Sequence, residues 1–171
     1  NQSSTFGFNG LAKGVLLFDW KTSSEEGADR LWVNLGGEVP QVWDAFISGE
    51  RAWGRSAIML PEASNDVRWI YRKNGADTEG EDRGLVDNIE VMTLEKFIEE
   101  IKSAGNIEGF DFELDSRALF RSTTLDGISP PPEGGAPSAL VTPAIGNGQT
   151  ASLSGWVTGP GIFDLDRKSV V

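Results

Sequence analysis

This sequence predicts an all-β fold, an antiparallel two-sheet β-sandwich carrying one short amphipathic helix, and three observations lead there. Apolar and polar residues alternate through successive short runs, those runs favour β-branched and aromatic types, and turn residues separate them. One window of helical period interrupts the pattern past the middle of the chain.

Val15-Leu16-Leu17-Phe18-Asp19-Trp20 is the first clear strand. Leu31-Trp32-Val33-Asn34-Leu35 follows and stops at Gly36-Gly37, a hairpin signal because glycine reaches positive φ without steric cost. The run at 42–47 is the expected pairing strand, and further strands are expected at 54–60, 67–71 and 85–91. In the run at 67–71, Val67, Trp69 and Tyr71 share one face while Arg68 and Arg72 take the other, the pattern of a half-buried strand. Between the last two strands, residues 74–82 are polar, acidic and glycine-containing, hence a surface loop. Alternation in these runs places Leu16, Phe18, Trp20, Leu31, Val33, Trp69, Tyr71 and Ile89 in the core of a sandwich spanning residues 11–91.

Leu94, Phe97, Ile98 and Ile101 fall at i, i+3, i+4 and i+7, so the run at 93–102 is a short helix with one apolar stripe. Thr93 is its N-cap, and Gly105 is placed to end it in a left-handed conformation. A helix of about three turns is not stable alone, so the stripe must dock on the sandwich or on a neighbour. Beyond it come a strand at 110–114, a run at 130–137 with four prolines that excludes regular pairing, and a strand-like stretch at 148–169. The organisation is therefore a sandwich core at 1–91, a helix at 92–106, a strand plus Pro/Gly-rich linker at 107–147, and a final segment at 148–171.

That final segment resembles the beginning of the chain. Laid over residues 1–24 at a constant offset, residues 148–171 align Gln2 with Gln149, Gly14 with Gly161, Asp19 with Asp166 and Lys21 with Lys168. Val15/Ile162, Leu16/Phe163 and Phe18/Leu165 are conservative pairs. The segment reads as the opening strands of a second repeat copy. It departs from the first copy at two places, with Asp164 where the first has Leu17 and Arg167 where the first has Trp20. Such a strand suits a sheet edge, or a strand lent to another subunit, better than a closed core. Trp156, Ile162, Phe163 and Leu165 are the candidate assembly residues, with cis pairing as the alternative.

The runs GVLLFDWKTSSEE, ISGERAW and VRWIYRKNGADTEGEDRGLVDNIEV together resemble a repeated β-sandwich module similar to concanavalin-like and MAM-type jelly rolls, found in large secreted bacterial surface proteins. The resemblance covers residues 11–91, Gly84-Leu85-Val86-Asp87-Asn88-Ile89 is its most specific motif, and residues 145–161 look like the opening of the same module. It implies a jelly-roll-like sandwich, an extracellular or cell-surface location, and a scaffold or binding role with no catalytic residues to carry over.

Composition narrows the function classes. With 15 basic and 26 acidic residues the net charge is −11, which repels nucleic acid and anionic lipid. No apolar run approaches the roughly 18 residues that read as a membrane-spanning helix. The chain has no His and no Cys, which excludes Ser-His-Asp triads, Cys-His dyads, imidazole metal sites and disulfides. Paired carboxylates remain as a catalytic design, but 26 acids supply such pairs by accident. No enzymatic activity is expected. The opening on Asn1 fits removal of a leader or excision from a longer chain, and the sequence leaves these open.

Two binding chemistries stay in view. Hard oxygen ligands suit Ca²⁺, and Asp77, Glu79 and Asp82 form the densest acidic loop, although a solvated hairpin loop explains the same residues. The acids of Asp111-Phe112-Glu113-Leu114-Asp115 fit a solvated sheet face equally well. Of the six tryptophans, Trp20 and Trp69 alternate inward and Trp156 belongs to the final segment, which leaves Trp32, Trp43 and Trp53 as candidate stacking platforms for a polysaccharide or, again, as sandwich filling. The leading expectation is a structural module whose partners are copies of itself, forming a homo-oligomer or filament. The alternatives are a carbohydrate-binding or adhesive module and a calcium-binding accessory domain of a secreted enzyme.

Overall fold

Strand-forming alternation dictates most of the architecture in the computed structural model, which describes residues 2–36, 45–75, 78–105 and the short strands at 111–113, 118–119, 121–124, 138–141 and 154–156. The strands are Gln2–Leu11 (β1), Gly14–Ser23 (β2), Arg30–Leu35 (β3), Ala45–Ile47 (β4), Arg51–Leu60 (β5), Asn65–Lys73 (β6) and Arg83–Met92 (β7). The helix Leu94–Gly105 (α1) follows, and then Asp111–Glu113 (β8), Ala118–Leu119 (β9), Arg121–Thr124 (β10), Ser138–Val141 (β11) and Ser154–Trp156 (β12). Two four-stranded antiparallel sheets form, in the orders β1-β6-β3-β4 and β7-β2-β5-β9. The protein is an all-β sandwich.

The inner faces meet in one cluster built from Leu16, Phe18 and Trp20 of β2, Leu31 and Val33 of β3, Ile58 and Leu60 of β5, and Val67 and Trp69 of β6. Phe18 meets Trp20 and Trp69 edge-on, with ring centroids 5.2 and 5.3 Å away, the geometry that ring quadrupoles favour. Six of the eight expected core residues are buried. Tyr71 and Ile89 are only half-buried and pack on the cluster from its margin, because Tyr71 lies near the end of β6 and Ile89 on the edge strand β7. Ahead of residue 11 the first sheet gains β1, which pairs with β6 from Gln2 onward and lies within the expected domain at 1–91.

β2 is buried on both faces. Its outward residues Val15 and Leu17 lie with Ala57 and Met92 under Phe97 and Ile101 of α1, so the helical stripe docks on the sandwich in cis. Thr93 caps the helix as expected: its Oγ1 accepts the Lys96 N–H at 3.3 Å, and its carbonyl accepts that of Phe97 at 3.1 Å. The Asp87-Asn88 pair of the specific motif is a bulge. Register against β2 shifts between Leu17 and Asp19, Asn88 adopts φ 49°, and its Nδ2 donates to Asp19 Oδ2 at 2.7 Å. Asn and Asp tolerate the left-handed region better than other non-glycine residues, which suits Asn88 to the bulge.

Past the helix, β9 extends the second sheet from β5, β10 pairs with β11, and β12 pairs with β8 through Ser154↔Glu113, Gly155↔Phe112 and Trp156↔Asp111. Within the segment 148–171, β12 therefore pairs inside its own chain. The linker at 130–137 and the strand expected at 162–168, with Ile162, Phe163 and Leu165, lie outside the described residues.

Candidate functional site

Among the described residues, four strands bound the two main sheets, and three of them are poorly suited to accept a further strand. β4 has three residues and β9 two, while β7 carries Arg83, Asp87 and Glu90 and is kinked by the Asn88 bulge. β1 is the exception. It runs for ten residues, pairs on one side with β6, and contains no charged residue and no proline. Its pairing with β6 is regular from Gln2 to Phe8, and the register shifts only before Leu11, where Gly10 at φ 68° donates its N–H to Asp66 Oδ1 at 3.1 Å.

On the core-facing side of β1, Phe6 and Phe8 are 51 % and 39 % exposed, the apolar surplus of this edge. Phe6 stacks on Trp69 at 5.8 Å, Phe8 meets the same indole edge-on at 6.3 Å, and the two phenyl rings are 5.2 Å apart. An aromatic chain thus runs from Phe18 in the core through Trp69 to the open edge. On the opposite side of β1, Arg68 of β6 lies across Gly7, where a Cβ would sit 2.7 Å from the arginine Cδ. Its Nη1 donates to the Phe8 carbonyl at 2.9 Å and its Nη2 to Asn9 Oδ1 at 2.5 Å. Gly7 therefore lets a cation reach the edge of a strand that has no charge of its own.

A second polar cluster closes one end of the sandwich. Asp29 is fully buried; its Oδ1 accepts the Asn74 N–H at 2.8 Å, and its Oδ2 has the Lys73 ammonium at 3.5 Å. Lys73 donates to Asp82 Oδ1 at 2.7 Å. That hydrogen bond, reinforced by the carboxylates of Asp29 and Asp82, raises the Lys73 pKa above its ordinary value against the opposing effect of burial. Burial, then Asp29 and Asp82, likewise raises the Tyr71 phenol. Ser23 donates to Glu50 at 2.6 Å and accepts the Glu81 N–H at 2.8 Å, which ties the end of β2 to the loops before β5 and β7.

Of the expected calcium ligands, Asp82 is engaged by Lys73, Glu79 is exposed, and Asp77 lies outside the described residues. Among the described residues no group of three or more acidic side chains is gathered to hold a metal. The expected stacking platforms separate in a similar way. Trp32 is half-buried, with Phe46 at 4.6 Å and the Arg30 guanidinium 5.6 Å from its ring centre. Trp43 lies outside the described residues, and Trp53 is 50 % exposed. Trp53 shares the outer face of β5 with Arg55, which meets Asp19 at 3.6 Å and Glu90 at 3.7 Å. Trp156 takes its place in β12 opposite Asp111. No described helix is long and apolar enough to cross a membrane.

The edge itself was missed in the sequence. Its signal was the Thr5-Phe6-Gly7-Phe8 alternation, diluted by Ser, Asn and Gln on either side.

No family model, curated protein or solved structure matches this chain. The functional reading therefore rests on the geometry and on the sequence motifs.

Proposed function

We propose that this chain is a non-catalytic structural module of an extracellular or cell-surface protein, and that it self-associates by adding a strand to an open sheet edge. The observation that carries this reading is β1, a ten-residue, charge-free edge with two half-exposed phenylalanines. Natural edges of this length are ordinarily blunted by charge, proline, bulge or cover; β1 has no charge of its own, is reached by Arg68 at one place and is regular from Gln2 to Phe8, which leaves a template for pairing. Strand addition pairs main-chain groups along this edge and removes from water what is still exposed of the two phenyl rings, roughly half of the 1.5–3 kcal/mol that burying a whole side chain brings. A head-to-tail contact of this kind closes into a ring or propagates as a filament, depending on its rotation. The extracellular setting rests on the resemblance of the motifs at 11–91 to modules of secreted bacterial proteins. The non-catalytic reading is supported by the chain's lack of His and Cys.

Sedimentation velocity of the full chain over a wide concentration range, paired with electron micrographs, tests the proposal. Oligomers or filaments that grow with concentration are expected; a monomer at every concentration rules out self-association. A second reading, carbohydrate binding, is favoured by the half-exposed Trp53 beside the Asp19–Arg55–Glu90 cluster. Retention on a polysaccharide gel that disappears in Trp53→Ala would establish it.

A further inference from the structure

We infer that the β1 edge of one copy accepts residues 162–168 of a second copy as an antiparallel strand, with Phe163 and Leu165 laid against Phe8 and Phe6 and Asp164 beside Arg68. This rests on the self-association reading and names its two surfaces.

The acceptor has two faces of different chemistry. Phe6 and Phe8 line the core-facing side, whereas Ser3, Thr5 and Gly7 line the other, with Arg68 reaching over Gly7 to the edge. A fitting strand must be apolar on alternate positions and acidic on the positions between. The segment Ile162-Phe163-Asp164-Leu165-Asp166-Arg167-Lys168 has that pattern. The strand period puts Phe163 and Leu165 on one face and Asp164 and Asp166 on the other.

The alignment with β2 gives the same assignment of faces. Phe163 and Leu165 correspond to Leu16 and Phe18, which point into the core, and Asp164 corresponds to Leu17, which is buried under α1. A strand with a carboxylate at that position does not belong beneath a helix. It belongs where its outer face is wet and meets a cation. With Asp164 opposite Gly7, Leu165 falls opposite Phe6 and Phe163 opposite Phe8. Arg68, paired with Gly7 from the other side, then lies across the glycine from the new carboxylate. Two strand spacings separate β6 from the added strand, about 9.6 Å, and the arginine already spans the first of them.

Complementation between two full-length variants tests the assignment. Phe6→Lys blocks the acceptor and leaves the donor intact; Leu165→Pro does the reverse. Each alone should be monomeric and unfold in one cooperative transition, and their mixture should give a one-to-one dimer that grows no further. Assembly by Leu165→Pro alone overturns the named donor and points to β1 pairing with β1 of another copy. Assembly by Phe6→Lys alone overturns the named acceptor. If the unmodified chain is itself monomeric, the self-association reading fails, which is a distinct outcome. Should Phe6→Lys melt early, a charge swap serves instead. At about 0.15 M NaCl, where whole-molecule repulsion is screened, Asp164→Arg should weaken assembly several-fold and Arg68→Glu in the same chain should recover most of it, whereas no weakening overturns the proposed register.

Discussion

Replacing Leu17 by Asp gives β2 the residue that stands at position 164, which aligns with it in sequence, and the structure fixes what this costs. Leu17 is 2 % exposed and packs with Val15, Ala57, Met92, Phe97 and Ile101 between the second sheet and α1. Losing a buried leucine costs about 2–5 kcal/mol. The carboxyl has no cation in that apolar layer, so it folds only when protonated. Its folded pKa rises above the unfolded value of about 3.9, and stability is lost as pH rises from there. At pH 7 this adds about 3.1 pKa units, or about 4 kcal/mol at 1.36 kcal/mol per unit. The total, about 6–9 kcal/mol, matches the whole stability of many domains. Leu17→Asn, which cannot ionise, isolates the charge. Urea unfolding should separate Asp from Asn by about 4 kcal/mol at pH 7 and bring them together near pH 4. If the two variants unfold together at pH 7, both close to the parent, the layer under α1 is wet and the argument against a core position for residues 162–168 fails.

Phe97→Ala should cost about 3–5 kcal/mol in the same assay, because the ring is 1 % exposed and forms the centre of the helix–sheet contact. Asn88→Val forces a β-branched residue into φ 49° and removes the bond to Asp19; a loss of about 1–3 kcal/mol is expected, and less for Asn88→Gly, read as shifts of the urea midpoint. Lys73 and Tyr71 both have folded pKa values raised above their unfolded ones. Their stabilisation is complete below about pH 10 and lost as pH climbs through the folded values. The urea midpoint should fall there, and Asp82→Asn should flatten that fall.

Where burial follows local period, the sequence displays the fold. β2, β3, β5, β6, β7 and α1 all lie where alternation or the i, i+3, i+4 spacing placed them, and Thr93 caps the helix as its type suggests. Ile70 was not foreseen: it is 3 % exposed on the face opposite Trp69, which the two flanking arginines made look wet. The Asp29–Lys73 contact joins residues far apart in sequence and has no local signature. β1 escaped notice because its strand character comes from pairing with β6 and from two phenylalanines, while the residues around them are small and polar. That mixture leaves an edge weakly marked in sequence and, among the described residues, paired on one side alone.

Charge supplies an independent check on what drives assembly. Each copy carries a net charge of −11, so approaching copies repel over a distance set by salt, with a screening length of about 30 Å at 0.01 M and about 8 Å at 0.15 M. The proposed contact holds together through main-chain hydrogen bonds and the rings of Phe6 and Phe8, terms that salt at these levels barely touches. Only the Asp164–Arg68 pair weakens on screening, and an exposed pair contributes at most about 1 kcal/mol. The repulsion involves the whole of both molecules and should dominate. Assembly measured by sedimentation should therefore strengthen as NaCl rises from 0.01 to about 0.15 M and change little beyond. A steady weakening over that range would mean that ion pairs hold the copies together, and the uncharged edge would then not be the surface that joins them.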